Sequence, residues 1–142
     1  MQYYFTLLLI GILWLANFVS TAQGAVNPEL DTIRWEYRKI ENRVRSEMVS
    51  LGGHFISYAG ETFVWTQDGV DRKYTFRTKA VTGNWTNASR IGQLVYSVTC
   101  NGEDGTLRLI RTPRAIIVEL DFLKPNKRTP HLYLLVNSIQ KM

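Results

Sequence analysis

The sequence predicts an α+β domain, with one long N-terminal helix packed on a curved antiparallel sheet of about six strands. Three observations predict it. Apolar residues recur at steps of three or four between Pro28 and Leu51. After Gly53 the side chains alternate with period two in run after run. Short turn-forming segments separate those runs.

The chain first opens on an uncharged apolar stretch, Tyr3 to Val19, followed by the small residues Ser20, Thr21, Ala22, Gly24 and Ala25. This pattern predicts a signal peptide over residues 1–24 with cleavage after Gly24, and a single domain over residues 25–142. The protein is therefore expected to be secreted from a eukaryotic cell, without a membrane anchor once the signal is removed.

In the helix, Asn27 serves as N-cap and Pro28 as the first helical residue. Glu29 and Asp31 place negative charge in the first turn. The apolar stripe runs through Leu30, Ile33, Tyr37, Ile40, Val44, Met48 and Leu51, and Gly52-Gly53 ends it. Arg34, Arg38, Lys39, Arg43 and Arg45 form the wet face, where Glu41 pairs with Arg45 four residues on.

The strands follow. His54–Ala59 and Glu61–Thr66 flank Gly60, and Asp68-Gly69 makes the next turn. Arg72–Val81 puts Tyr74, Phe76 and Ala80 on one face, against Lys73, Thr75, Arg77 and Lys79 on the other. Gln93–Cys100 turns Leu94, Tyr96, Val98 and Cys100 inward, where the thiol should be inert. A hairpin loop, Asn101 to Gly105, leads to Thr106–Arg111. Arg114–Phe122 turns Ile116, Val118, Leu120 and Phe122 inward, with Glu119 and Asp121 facing solvent. Lys124 to Pro130 reads as a basic loop, and His131–Ile139 as the last strand.

All 17 Lys and Arg and all 12 Asp and Glu lie after residue 24, so the predicted domain carries the whole charge of +5. Such a charge permits an anionic partner without requiring one. Lys73, Arg77, Lys79 and Arg108 could meet acidic glycans; nucleic acid is not expected outside the cell. With Cys100 as the only cysteine, no internal disulfide can form, and the core must hold the fold.

Few motifs carry chemistry. Asn84-Trp85-Thr86 and Asn87-Ala88-Ser89 are adjacent N-glycosylation acceptors, expected on a surface loop from Thr82 to Gly92. His54, His131 and Cys100 lack the spacing of metal ligands, so no metal or cofactor is expected. No base is placed beside a nucleophile, and no catalytic residue is assigned. Glu61, Asp68, Asp71, Glu119 and Asp121 are the carboxylates available to an acid–base enzyme, which would need one of them buried. Aromatic residues crowd the first strands, and Tyr58, Trp65, Tyr74, Phe76 and Tyr96 are the candidate lining of an apolar pocket.

The strands Lys73–Val81 and Leu132–Val136, placed after a long helix, resemble in layout the cone-shaped fold of the nuclear transport factor two-like superfamily. That resemblance implies a helix lying across a curved sheet, and members that range from isomerases and dehydratases to plain binding modules. The segment Gln93–Ser97 is similar to the Gln-x-Val-x-Gly loop of cystatins, although Ser97 stands where the glycine belongs.

These readings rank the functions. The leading expectation is a secreted, non-enzymatic binding domain for a small apolar ligand or an extracellular protein. A cystatin-like protease inhibitor and a carboxylate-based isomerase or dehydratase are the alternatives. Oligomeric state is left open.

Overall fold

The computed structural model describes residues 24–122 and 131–142. The predicted signal peptide, apart from Gly24, and the loop expected over 124–130 lie outside the described residues.

The described residues contain no helix; they form nine antiparallel strands. The strands are β1 (Thr32–Asn42), β2 (Glu47–Val49), β3 (Gly53–Tyr58), β4 (Thr62–Gln67), β5 (Lys73–Asn84), β6 (Gly92–Cys100), β7 (Glu103–Arg111), β8 (Ile116–Phe122) and β9 (His131–Lys141). From β3 to β9 each strand pairs with the next. β9 then pairs with β1 from Ile33–Lys141 to Asn42–Leu132, which closes eight strands into a barrel. β2 pairs only with the far end of β1, as a short arm beyond β3.

The expected α+β class is thereby corrected, and with it the likeness to the cone-shaped superfamily and to cystatins. The segment read as a helix is β1, a turn and β2. Its apolar positions Ile33, Trp35 and Tyr37 alternate strictly, with Arg34 and Glu36 between them. Irregularities on either side of Tyr37 then shift the register against β9, and Arg38 is the unpaired residue. Such a bulge reverses the parity of the strand, so Ile40 points inward three residues after Tyr37. Steps of two, two and three imitate a helical stripe when Trp35 is passed over, yet Trp35 is fully buried.

The capping chemistry around Asn27 is present, but it serves one turn. The Asn27 side chain accepts from the Glu29 amide at 2.9 Å, and its carbonyl accepts from Asp31 at 2.9 Å. Val44 and Met48, expected on the buried stripe, are exposed on the β2 arm. Glu41 pairs with Arg43 at 2.8 Å rather than with Arg45.

A closed barrel hides the apolar face of its own strands, so it needs no helix to cover them. The interior is built from inward positions on all eight strands, among them Ile33, Phe55, Phe63, Phe76, Leu94, Leu107, Val118 and Leu134. Phe55 stacks on Phe63 at 5.5 Å and tilts against Phe76 at 6.2 Å, and Tyr96 meets Phe63 edge-on at 4.7 Å. A second bulge, at Lys79, reverses parity within β5. Ala80, expected to face inward, is therefore exposed beside Ser97.

Connections alternate between the two ends. Asn101-Gly102 joins β6 to β7 as a two-residue turn, both residues having positive φ (52° and 77°), so β7 begins at Glu103 rather than after Gly105. This end also holds the β4–β5 connection, the end of β8 and the start of β9. The opposite end holds the β3–β4, β5–β6 and β7–β8 connections, together with the entry to β1.

Candidate functional site

The two ends of the barrel are built differently. At the β5–β6 end the chain folds in and plugs the opening. Trp85 is buried and packs against Trp35 with ring centroids 5.7 Å apart. Its indole nitrogen donates to the Arg90 carbonyl at 2.9 Å, and its backbone amide donates to the Glu29 carboxylate at 2.8 Å. Ala88 is buried beside it and donates its amide to the Val26 carbonyl at 2.8 Å. The segment before β1 and the β5–β6 loop thus clasp each other over that end.

The other end holds a cavity of about 430 Å³. Trp65 and Gln67 of β4 line it, with Tyr74 and Phe76 of β5, Cys100, Asn101 and Glu103 around the β6–β7 turn, Leu120 and Phe122 of β8, and Leu132 of β9. Period-two alternation brings the strand residues among them together, as inward side chains one or two positions deep from this end of each strand. Trp65 and Tyr74 stack with centroids 5.2 Å apart, and Phe76 lies 5.5 Å from Phe122.

Hydrogen bonds fix the polar atoms of this wall. The Trp65 indole nitrogen donates to the Tyr37 hydroxyl at 2.7 Å, and that hydroxyl donates to the Thr66 carbonyl at 3.2 Å. Burial pushes the Tyr37 phenol up to about 12. Burial, and after it the negative charge of Glu103, also hold the Cys100 thiol above its ordinary value, against a lowering hydrogen bond from the Thr75 backbone. The thiol is therefore protonated and poorly nucleophilic at neutral pH.

Of the five aromatic residues read as a pocket lining, Trp65, Tyr74 and Phe76 stand together in this cavity. Tyr96 points inward toward the other end, where it lines a separate hollow beside Gly60. Tyr58 is 42 % exposed on the outer wall of β3. The sequence reading omitted Phe122, Leu120, Leu132 and Glu103 because they come from distant strands that only barrel closure gathers.

The carboxylates are dispersed. Glu61, Asp68 and Asp71 are exposed and Asp121 half-buried. Glu119, expected to face solvent, is only 4 % exposed. It lies on the outer wall, where Arg108 donates to it at 2.9 Å and His131 Nε2 approaches to 2.6 Å. Partners on both neighbouring strands cover it. His131 is thus not a free edge residue, and His54 is half-buried between β1 and β4 with Arg34 at 3.5 Å. Among the described residues no three His, Cys, Asp or Glu side chains converge as metal ligands.

The glycosylation acceptors lie at the plugged end. Asn84 closes β5 and is exposed, while Asn87 is half-buried and accepts from the Ser89 amide at 3.0 Å and hydroxyl at 2.6 Å. The basic strand residues are partly neutralised, since Lys79 pairs with Asp104 at 2.7 Å and Arg108 with Glu119. Gln93–Ser97, read beside the cystatin loop, is an interior stretch of β6 paired on both sides.

Comparison of the chain with family models, with curated proteins and with solved structures finds no match.

Proposed function

We propose that this protein is a binding domain, acting outside the cell, that takes a small apolar ligand into the open end of its barrel. One observation carries the reading: Trp85 plugs one end of the barrel, while at the other end the apolar and aromatic side chains of the described residues surround about 430 Å³. That volume falls within the range of ordinary ligand pockets. Eight-stranded antiparallel barrels are wide enough for their side chains to fill or for one small ligand to enter. Among the described lining residues the polar side chains are few, Gln67 and Asn101 among them, as expected of groups that orient a ligand. The apolar opening stretch of the sequence supports the extracellular part of the proposal.

Titration with N-phenyl-1-naphthylamine, a neutral apolar fluorophore, tests the reading. Saturable one-to-one binding is expected, with Leu132→Trp filling the cavity and weakening it at least tenfold. Binding that does not saturate, or that is unchanged in a Leu132→Trp protein still melting cooperatively, overturns the reading. If that variant does not fold, Tyr74→Ala serves instead, because Tyr74 lies at the rim and its loss removes part of the ligand's contact surface.

A further inference from the structure

A second hollow, of about 430 Å³, opens at the plugged end of the barrel. Glu29 and Leu30 from the segment before β1 line it, with Glu61 of the β3–β4 turn, Val81 of β5, and Leu94 and Tyr96 of β6. Its most buried polar side chain lacks a partner. Tyr96 is 2 % exposed, and among the described residues its hydroxyl makes no hydrogen bond. A buried polar atom in that state calls for a physical reason, because leaving it unpaired is costly. The hydroxyl is aimed at the hollow. A β-carbon on Gly60, which also lines it and has a φ of 70°, would stand 3.1 Å from that oxygen. The charge of the described lining has one sign. Glu29 accepts from the Trp85 amide at 2.8 Å, while the exposed Glu61 makes no side-chain hydrogen bond or ion pair among the described residues. The basic residues lie elsewhere. Arg77, Lys79 and Arg90 are outside the lining, and Lys79 pairs with Asp104 at 2.7 Å. The chain before Gly24 contains no Lys or Arg. The end of β8 and the start of β9, which flank the basic stretch Lys124 to Pro130, lie at the opposite end.

We propose that this hollow is a second binding site, for a primary alkylammonium whose nitrogen donates to the Tyr96 hydroxyl and to the carboxylates of Glu29 and Glu61, and whose alkyl chain lies along Leu30 and Val81. A primary ammonium has three donors and no acceptor, which suits one hydroxyl oxygen and two carboxylates. Hydrogen bonds between ionised partners are the strong ones. Leu30 and Val81 are 72 % and 54 % exposed, so the alkyl chain would remove apolar surface from water. The site is built beforehand. Thr78 donates its hydroxyl to the Gly60 carbonyl at 2.6 Å and its amide to the Glu61 carbonyl at 3.0 Å, which fixes the turn. Burial, and after it the charge of Glu29, raise the Tyr96 phenol to about 12, so carboxylate and hydroxyl share one electrostatic neighbourhood. A carboxylate ligand of equal size would meet two like charges. The site stands apart from the open-end cavity and does not depend on the ligand proposed there.

Three six-carbon probes test it: n-hexylamine, neutral hexan-1-ol and hexanoate, each titrated into the whole isotope-labelled protein at neutral pH and followed by backbone amide chemical shifts. Hexylamine is expected to bind about tenfold more tightly than hexan-1-ol, with hexanoate weakest. The shifts should centre on Gly60, Glu61 and Thr78 and persist when the naphthylamine fills the open cavity. Tyr96→Phe removes one oxygen that no described side chain uses, and it should weaken hexylamine about fivefold. Glu61→Gln should weaken it by a similar factor and leave hexan-1-ol unchanged. Equal binding of the three probes, tightest binding of the acid, or shifts centred on Asn101 at the open end would overturn the proposal. So would a hexylamine affinity that neither variant alters, or displacement of hexylamine by the naphthylamine. Absence of any shift at Gly60 removes the second site and leaves the open-end reading standing, because the naphthylamine titration is read separately. The three-probe comparison needs no variant, so it decides the matter even if Tyr96→Phe does not fold.

Discussion

The indole nitrogen of Trp65 donates to the hydroxyl of Tyr37 at 2.7 Å, joining β4 to β1 across the intervening β3. The same hydroxyl donates onward to the Thr66 carbonyl at 3.2 Å, so one oxygen serves as both acceptor and donor within the barrel. Removing it in Tyr37→Phe leaves a buried indole N–H without an acceptor, which costs about 1–3 kcal/mol. Urea denaturation should show that loss as a lower midpoint with an unchanged slope. A loss of only a few tenths would mean that water replaces the hydroxyl and that the bridge contributes little.

Gly53 lies directly beneath this bridge, paired with Tyr37 on one side and Gln67 on the other. A β-carbon at this position would collide with the Thr66 carbonyl and the Tyr37 hydroxyl. Gly53→Ala is therefore expected to destabilise by about 1–3 kcal/mol through overpacking. Because it strikes the same atoms, it should be non-additive with Tyr37→Phe by at least about 0.5 kcal/mol. Strict additivity in the double variant would show that the two sites do not meet.

Alkaline pH acts on the same oxygen. Burial raises the Tyr37 phenol from 10.0 to about 12, and Tyr96 likewise. A folded value above the unfolded one means that the unfolded chain loses its proton first. The contribution of each group is thus complete below about pH 10 and is lost as pH rises through about 12. The melting temperature should fall across that window, more shallowly in Tyr37→Phe. Phenolate absorbance should show a fraction of the tyrosines ionising only as the protein unfolds. Ionisation of every tyrosine near pH 10, with no loss of structure, would contradict this burial.

Much of the chain after Gly53 is legible in its sequence. Seven runs of alternating side chains correspond to β3 through β9 within a few residues, because each strand is half buried and its inward positions are apolar. Two bulges account for most of what is not legible. The unpaired Arg38 converts the alternation Ile33, Trp35, Tyr37 into an apparent helical stripe ending at Ile40, and the unpaired Lys79 moves Ala80 to the outside. A bulge leaves no compositional mark, although the aromatic and β-branched content of Ile33, Trp35, Tyr37 and Ile40 favours a strand. The cavity was half legible. Trp65, Tyr74 and Phe76 come from consecutive strands, whereas Phe122, Leu132 and Glu103 join them only because β9 closes on β1.

Glu119 separates the period-two expectation from the packed wall. An outward strand carboxylate in water contributes at most about 1 kcal/mol through surface pairing. Here it is covered and accepts from Arg108 and His131 together. Glu119→Ala leaves both without their carboxylate, although each is about a third exposed and can partly rehydrate. A destabilisation of about 1–3 kcal/mol is expected, measured by urea denaturation at neutral pH. Glu119→Gln, which keeps an acceptor but not the charge, should fall between the two. A change of only tenths in the alanine variant would return Glu119 to the status of a solvated surface residue.

The plug and the cavity are spatially separate, and that separation is testable. Trp85 fills the closed end against Trp35 and is tied to Glu29 and Arg90, with none of the cavity residues among these partners. Trp85→Ala opens a void that the clasp of Val26 and Ala88 can only partly close, at a cost of about 3–5 kcal/mol. The same variant, studied well below its melting temperature, should bind the naphthylamine at the open end with affinity within about threefold of the parent, since sites without shared partners act almost independently. Proteolysis is expected to cut first in the β5–β6 loop, where the Arg90 carbonyl loses its indole donor, while the amide at position 85 still donates to Glu29. A variant that melts only slightly earlier would show that Trp85 covers the barrel without filling it. A variant that folds normally but no longer binds would place the ligand deeper than the rim, against the plug itself.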